Sequence, residues 1–483
     1  MTVTQAAAVI SIAASVAAGA FAHAQGADGD VSYRFRYDRP GDAAVAIEIS
    51  WERPLPAPTA LVMPRAIPMG YGEQRYDAFV SDVRAFGRDN TSTAPERIEG
   101  PRWQLPAGTT RVAYRVDLQQ MERDVHAASD SSRLRDGYLA VLGYSIFGYV
   151  DGFETRAARL HVEAPAGWPV LATLAPRWPL AAGAVDLRAA DFYALADGQI
   201  VMGPKLTVLR LAEKPIPLFL AMYAEGPVDV DRVSRQAATA FQRVAAYFGT
   251  TPFSHYTMHQ ELLTPVSPQH EYGMSMEHLE SSTFYLAANT GLTSSSSADD
   301  DARVLYNFAH HIAHAWVPKR AYGEGYFPFQ WELAPVLDSI WFAEGFGQYA
   351  AIMAVAAGTP DPAAFRQGML TRRFQSNIDS APPFLKRLSL VELSRVASTR
   401  YAEDFRTGRL VFSRGGMMAA AIDDRIRAET KGVKSLRDAL IFLIDWNARE
   451  RRGFAIGELA GLIRQATGVD VSQTIDQWLR PLN

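Results

Sequence analysis

The chain has ten histidines and no cysteines, so a transition metal bound to it must be held by imidazoles and carboxylates alone. Three of the ten fall together, in Phe308-Ala-His310-His311-Ile-Ala-His314-Ala-Trp316. Residues four apart on a helix stand one above the other, so His310 and His314 can present ring nitrogens to one ion. By itself the pair fits equally well a partly exposed histidine pair on an amphipathic helix. Its companion is Glu344 in Trp341-Phe-Ala-Glu344-Gly-Phe-Gly-Gln-Tyr349, one acid inside an otherwise apolar helical run. A carboxylate left unpaired in a core is costly, and it calls either for a metal on the first helix or for a buried arginine. Two histidines and one glutamate leave a fourth position for water, the pattern of a catalytic rather than a structural zinc.

Two helices must bring these residues face to face. Val304, Phe308 and Ile312 form one apolar side of the first, which follows a Ser-rich loop at Thr293 to Ser297 and the acids Asp299-Asp-Asp301. Ser and Asp suit a helix N-terminus, so this helix is expected to start there and run to about Trp316. The second is expected from about Val336 to Ala357. Upstream, Val230, Val233, Ala237, Phe241, Val244 and Phe248 recur at three- and four-residue spacing and mark another amphipathic helix. Before it, from Val31 to about Leu211, short alternating runs such as Tyr33-Arg-Phe-Arg-Tyr37 and Ala44-Val-Ala-Ile-Glu-Ile49 read as strands separated by Pro- and Gly-containing turns. The remainder to Asn483 reads as mostly helical.

These periods predict an α+β protein. An all-β, sandwich-like domain is expected at residues 25–225, a mixed metal-binding domain at 226–370 and a helical C-terminal domain at 371–483. A chain of 483 residues, 48% apolar and 21% charged, is long enough for several domains. Its net charge of −4 and lack of a long basic run argue against nucleic acid and a polybasic membrane patch, leaving a small molecule or peptide as partner. Residues 1–24 read as a secretory signal, apolar from Ala6 to Ala22 and ending in Ala22-His23-Ala24, so a periplasmic or secreted protein is expected. No later segment is long and apolar enough to predict a membrane span.

The chain resembles the glycyl aminopeptidase family of gluzincin zinc peptidases. That family's signature is H-E-x-x-H-x-W, then Lys-Arg, a Pro-Phe pair and a Trp-x-x-Glu-Gly-Phe helix. Here His310, His314 and Trp316 are followed in the same order by Lys319-Arg320, Pro328-Phe329, and Trp341 before Glu344-Gly345-Phe346. Pro64 and Pro68-Met-Gly-Tyr71 resemble a motif of the family's N-terminal β-domain, and the segment from Tyr247 resembles the one that precedes its active site. The resemblance covers most of the chain apart from the family's usual C-terminal PDZ module. It implies a thermolysin-like catalytic domain, one Zn²⁺ per chain on His310, His314 and Glu344, and a peptide partner with a free N-terminus. The family's Gly-Gly-x-Glu-His strand corresponds to Met274-Ser275-Met276-Glu277-His278, which implies that Glu277 binds the substrate's α-ammonium on a surface shared with Met274, Ser275 and Met276.

At two positions the chain departs from the family. His311 stands where the family has the Glu that serves as general base, and Phe412, in Leu410-Val-Phe412-Ser-Arg414-Gly415, stands near where it has an oxyanion-stabilising Tyr. Each loss costs roughly a hundredfold or more in rate. Three roles fit His311: an unusual base, a fourth ligand that closes the site, or a spacer in a retired enzyme. Two functions follow: an exported metallo-aminopeptidase, weak or altered in specificity, and a catalytically inactive homologue that binds peptides or serves structurally. No G-x-S-x-G elbow supports a serine hydrolase.

Overall fold

A computed structural model describes residues 29–268, 270, 272–401 and 403–482. The segment read as an export signal, residues 1–24, lies outside the described residues.

Alternation of apolar and polar residues produces half-buried strands in the N-terminal half. Val31–Arg36 and Ala44–Ser50 each bury every second residue, and they pair antiparallel within a seven-stranded sheet. The buried face, with Tyr33, Phe35, Ile47 and Ile49, shares one core with Leu139, Val141, Val170 and Ile200 of a five-stranded sheet. This is the expected sandwich-like arrangement. The strand Tyr138–Leu142 is buried along its whole length because its two faces serve different cores. Leu139 and Val141 face the sandwich, whereas Tyr138 and Ala140 pack with Ala221, Tyr223 and Leu263 of the next layer.

That layer is a mixed five-stranded sheet in the order Thr207–Ala212, Leu218–Ala224, Tyr256–Leu263, Ser281–Ala287, Met274–Glu277. Its central three strands run parallel, and Met274–Glu277 closes one edge antiparallel to Ser281–Ala287. The boundary expected at residue 225 falls just after strands of this sheet: Leu218–Ala224 pairs directly with Tyr256–Leu263, so the layer begins before that residue. Strand periodicity is the same in both sheets and cannot mark where one ends.

Helix Val230–Phe248 is capped by Asp229 and ends at Gly249 with φ +74°. The histidine helix, Ala298–Ala313, opens with a capping box in which Ser297 and Asp300 each accept the other's backbone N–H. It stops three residues before the expected end at Trp316. Pro318 follows, and the residue before a proline disfavours helical backbone, so the chain leaves in tight turns. The glutamate helix, Ile340–Ala356, starts four residues after the expected Val336, because the Leu337 N–H is bonded to Ser398 Oγ and Val336 is turned out to solvent. All but one of its 17 residues are buried. A helix apolar on every side is a core helix, and its polar exceptions, Glu344 and Gln348, face the cleft described below. It crosses the long helix Phe405–Glu429 at two glycines: a Cβ on Gly345 would lie 2.3 Å from the Gly415 carbonyl carbon, and one on Gly415 would lie 2.0 Å from the Trp341 oxygen. Among the described residues, no helix is long and apolar enough to cross a membrane.

Candidate metal centre

His310 and His314 lie one turn apart at the C-terminal end of their helix, and Glu344 reaches them from the neighbouring buried helix. Nε2 of His310 is 2.8 Å from Nε2 of His314, and Oε2 of Glu344 is 3.7 Å and 3.5 Å from these two atoms. Ligands at about 2.0–2.1 Å from a tetrahedral zinc stand about 3.3 Å apart, so this triangle fits such an ion with only small adjustments.

Two corners of the triangle, His314 and Glu344, are fixed from behind. The Nδ1–H of His314 donates to the Val317 carbonyl at 2.7 Å, which turns Nε2 towards the other two residues. Gly347 makes room for that ring, since a Cβ there would lie 2.9 Å from it. The Tyr71 hydroxyl, supplied by the N-terminal domain, donates to Glu344 Oε1 at 3.0 Å and leaves Oε2 for the histidines. Trp316 anchors the end of the histidine helix by stacking on Phe248 at 4.8 Å. Lys319 is fully buried; its Nζ donates to Asp197 Oδ1 at 2.9 Å and to the Pro68 carbonyl at 3.1 Å, tying the turn after the histidines to the N-terminal domain.

His311 reaches Glu277, with Nδ1 3.4 Å from Glu277 Oε2, and one of its ring nitrogens lies within 4.8 Å of nitrogens of His310 and His314. Glu277 ends the edge strand, and Met274, Ser275 and Met276 precede it along the same wall. These four residues, His310, His311 and Glu344 all line one cleft of about 960 Å³, counted to its open mouth, whereas His314 lies behind it with no exposure. Phe412 also faces the cleft, stacked on Tyr401 at 5.7 Å, and has no hydroxyl to offer.

The electrostatics are those of a crowded acid–imidazole cluster. Burial, with His311 and His314 alongside, takes the His310 pKa down to about 3. Burial also opposes charge on His314, but Glu277 and Glu344 outweigh it and carry that pKa up to about 9. Burial lowers the His311 pKa against the pull of Glu277, so its imidazole is neutral at pH 7. The two carboxylates stay ionised despite burial: His314 and His311 hold Glu277 at about 2, and His314 and His310 hold Glu344 far below the usual range. One imidazolium therefore faces two buried carboxylates.

Every member of this cluster is among the residues that the sequence singles out. Tyr71 is not: it lies in Pro68-Met-Gly-Tyr71, but nothing there points to Glu344. Of Arg373 and Gln348 in the cleft wall, only Gln348, one turn past Glu344, carries a signal in its spacing.

Two family models match the chain: the peptidase M61 N-terminal domain over residues 32–204 and the M61 glycyl aminopeptidase over residues 303–404. No curated protein matches it in sequence. Among solved structures, an aminopeptidase N family protein from Idiomarina loihiensis aligns over 94% of this chain and 76% of its own, with a TM-score of 0.81 and 18% identity. An M1 zinc metallopeptidase from Deinococcus radiodurans aligns over 94% of both chains with a TM-score of 0.53 and 16% identity. A mutant of that enzyme bound to a Tyr-Ser-Ala substrate gives a TM-score of 0.54 at 15% identity, again over 94% of both chains. At such identities the likeness is one of fold.

Proposed function

Because the chain belongs to the M61 glycyl aminopeptidase family, we propose that it is a zinc-dependent aminopeptidase-like hydrolase in which His310, His314 and Glu344 hold one zinc ion per chain. The observation that carries this reading is the convergence of three buried ligand atoms, with His314 and Glu344 each oriented by a separate hydrogen bond. The charge balance supports it. Two buried carboxylates exceed what one imidazolium neutralises, and a dication supplies the difference while both ligand histidines become neutral.

Zinc, when bound there, supplies Lewis-acid polarisation of a peptide carbonyl and of the attacking water. The chain's own groups do the rest. Glu277, ionised at the end of the edge strand, is the acid suited to a substrate's α-ammonium, while Met274, Ser275 and Met276 line the approach. His311 occupies the place of the general base. As a neutral imidazole held by Glu277, it can accept the proton of the attacking water at a ring nitrogen and pass it to the leaving amine. Phe412 offers no donor to the developing oxyanion, so turnover is weak or confined to favourable peptides. The N-terminal segment adds export to the periplasm or beyond.

A second reading, an inactive homologue that binds peptides, is favoured by the His311–Glu277 contact, which engages the very acid that would take the ammonium. Metal analysis of the purified protein with a survey of aminoacyl amides and short peptides separates the two. We expect one zinc per chain, lost in His310→Ala, and slow release of N-terminal residues. Stoichiometric zinc retained in the His310→Ala, His314→Ala double variant overturns the ligand assignment. Zinc without turnover of any substrate favours the second reading.

A further inference from the structure

The cleft is acidic around Glu277 and Glu344, but one wall of it carries arginine. Arg373 holds its guanidinium 4.8 Å over the ring of Tyr306, and its Nε donates to Gln348 Oε1 at 3.3 Å. Tyr306 lies one turn before His310 and Gln348 one turn after Glu344, so Arg373 is tied to both ligand-bearing helices beside the metal centre. The Tyr306 ring in turn stands 6.3 Å from that of His310 in a nearly parallel plane. The guanidinium is therefore no further from His310 than those two steps combined.

Arg373 forms no ion pair with any carboxylate among the described residues, and neither do Arg372 and Arg409, which line the adjoining hollow with Gln348, Asn377 and Phe412. All three are exposed at the rim, whereas two less exposed arginines are paired with acids, Arg133 with Glu261 and Arg65 with Asp77. A planar guanidinium held by an aromatic face and an amide, with its outer edge free, is suited to bidentate capture of a carboxylate.

We propose that Arg373, with Arg372 and Arg409 behind it, receives the free C-terminal carboxylate of a short peptide. An extended chain advances about 3.3–3.6 Å per residue, so the separation from His310 places that carboxylate one to three residues beyond the scissile bond. The preferred ligands are then di- to tetrapeptides, with Glu277 reading the ammonium end and Arg373 the carboxylate end. The inference rests on the aminopeptidase reading for the direction of the peptide.

The test uses the full, zinc-loaded protein and three probes: Ala-Ala-Ala, its C-terminal amide, and Ala-Ala-Asp amide, whose one carboxylate is on a side chain. Affinity is read as Kd by calorimetry where a peptide survives and as KM where it is cleaved. The free acid is expected to bind at least about tenfold more tightly than the amide, as a charge-assisted pair provides. That ratio should fall close to one in Arg373→Ala and recover in part in Arg373→Lys, whose compact ammonium keeps the charge without the fork. Equal binding of acid and amide by wild type, or a ratio that survives in a folded Arg373→Ala or Arg373→Gln, overturns the proposal. So does Ala-Ala-Asp amide binding as well as Ala-Ala-Ala, which would assign the arginines to an acidic side chain. Hydrolysis is scored separately: discrimination without turnover removes the aminopeptidase activity and leaves the carboxylate site, and turnover without discrimination does the reverse.

Discussion

Replacing His311 by glutamate restores the residue type that the family uses as base, and the structure says how large the gain should be. A positioned general base is worth roughly a hundred- to ten-thousandfold. Here the new carboxylate enters the place of an imidazole that lies 3.4 Å from Glu277 Oε2. At that separation and an effective dielectric of about 20, two carboxylates repel by about 5 kcal/mol, which the charge of a bound dication must offset. The gain should therefore sit at the low end, about a hundredfold, with one proton shared between Glu277 and the new acid. Sharing raises the pKa of one member of the pair, so activity is present above that pKa and is lost as pH falls through it. The assay is a pH–rate profile on glycyl and alanyl amides for wild type, His311→Glu, and His311→Glu with Glu277→Gln. The second substitution removes the repulsion, so the acidic limb should move to lower pH even where loss of the ammonium contact reduces the rate. Superimposable acidic limbs in the two variants would refute the repulsion argument. Brisk wild-type turnover that falls in His311→Glu would show that histidine is the working base.

Tyr71→Phe removes the donor to Glu344 Oε1, and zinc affinity, measured by competition with a chelator, should fall about ten- to a hundredfold. Gly415→Ala drives a methyl to 2.0 Å from the Trp341 oxygen and should cost about 3 kcal/mol in urea unfolding. Gly461→Ala, within a helix and with nothing inside 4 Å of the added Cβ, should instead gain about 0.5–1 kcal/mol in the same experiment. Asp197→Asn leaves the buried Lys319 without its counter-charge and should cost about 3–5 kcal/mol at neutral pH. Lys319 and His278 outweigh burial and hold the Asp197 pKa far below its unfolded value, so the wild type's advantage is present above about pH 4 and is lost as pH falls further. A variant that keeps its full deficit at pH 3 would contradict this.

Much of the centre was legible because its chemistry is written locally. His310 and His314 are four residues apart on one helix, and Glu344 is an acid in a run where every neighbour is buried, so spacing and polarity alone single them out. The fold class was legible for a similar reason: alternation of period two in Val31–Arg36 and of period near 3.6 in Val230–Phe248 are properties of single segments. What escaped depends on contacts between distant segments. Tyr71 is 273 residues from Glu344 along the chain, and nothing in its neighbourhood states that its hydroxyl reaches that carboxylate. Gly345 reads as part of a motif and Gly347 carries no signal, but the backbone of Gly415 and the ring of His314 are what forbid a side chain at these positions. Helix ends were misjudged where tertiary bonds compete with helical ones, as at Leu337, whose N–H goes to Ser398.

Tyr71 and the Pro68 carbonyl, both from the N-terminal segment, reach Glu344 and Lys319 of the other half. Ion binding and the docking of the two halves therefore belong to one thermodynamic cycle. Whatever factor docking adds to the affinity for zinc, zinc adds to the docking equilibrium, because the two routes round the cycle must agree. A chain that has not brought its halves together should hold the ion poorly. One that has lost its ion should dock less firmly, so metal uptake doubles as a check on assembly.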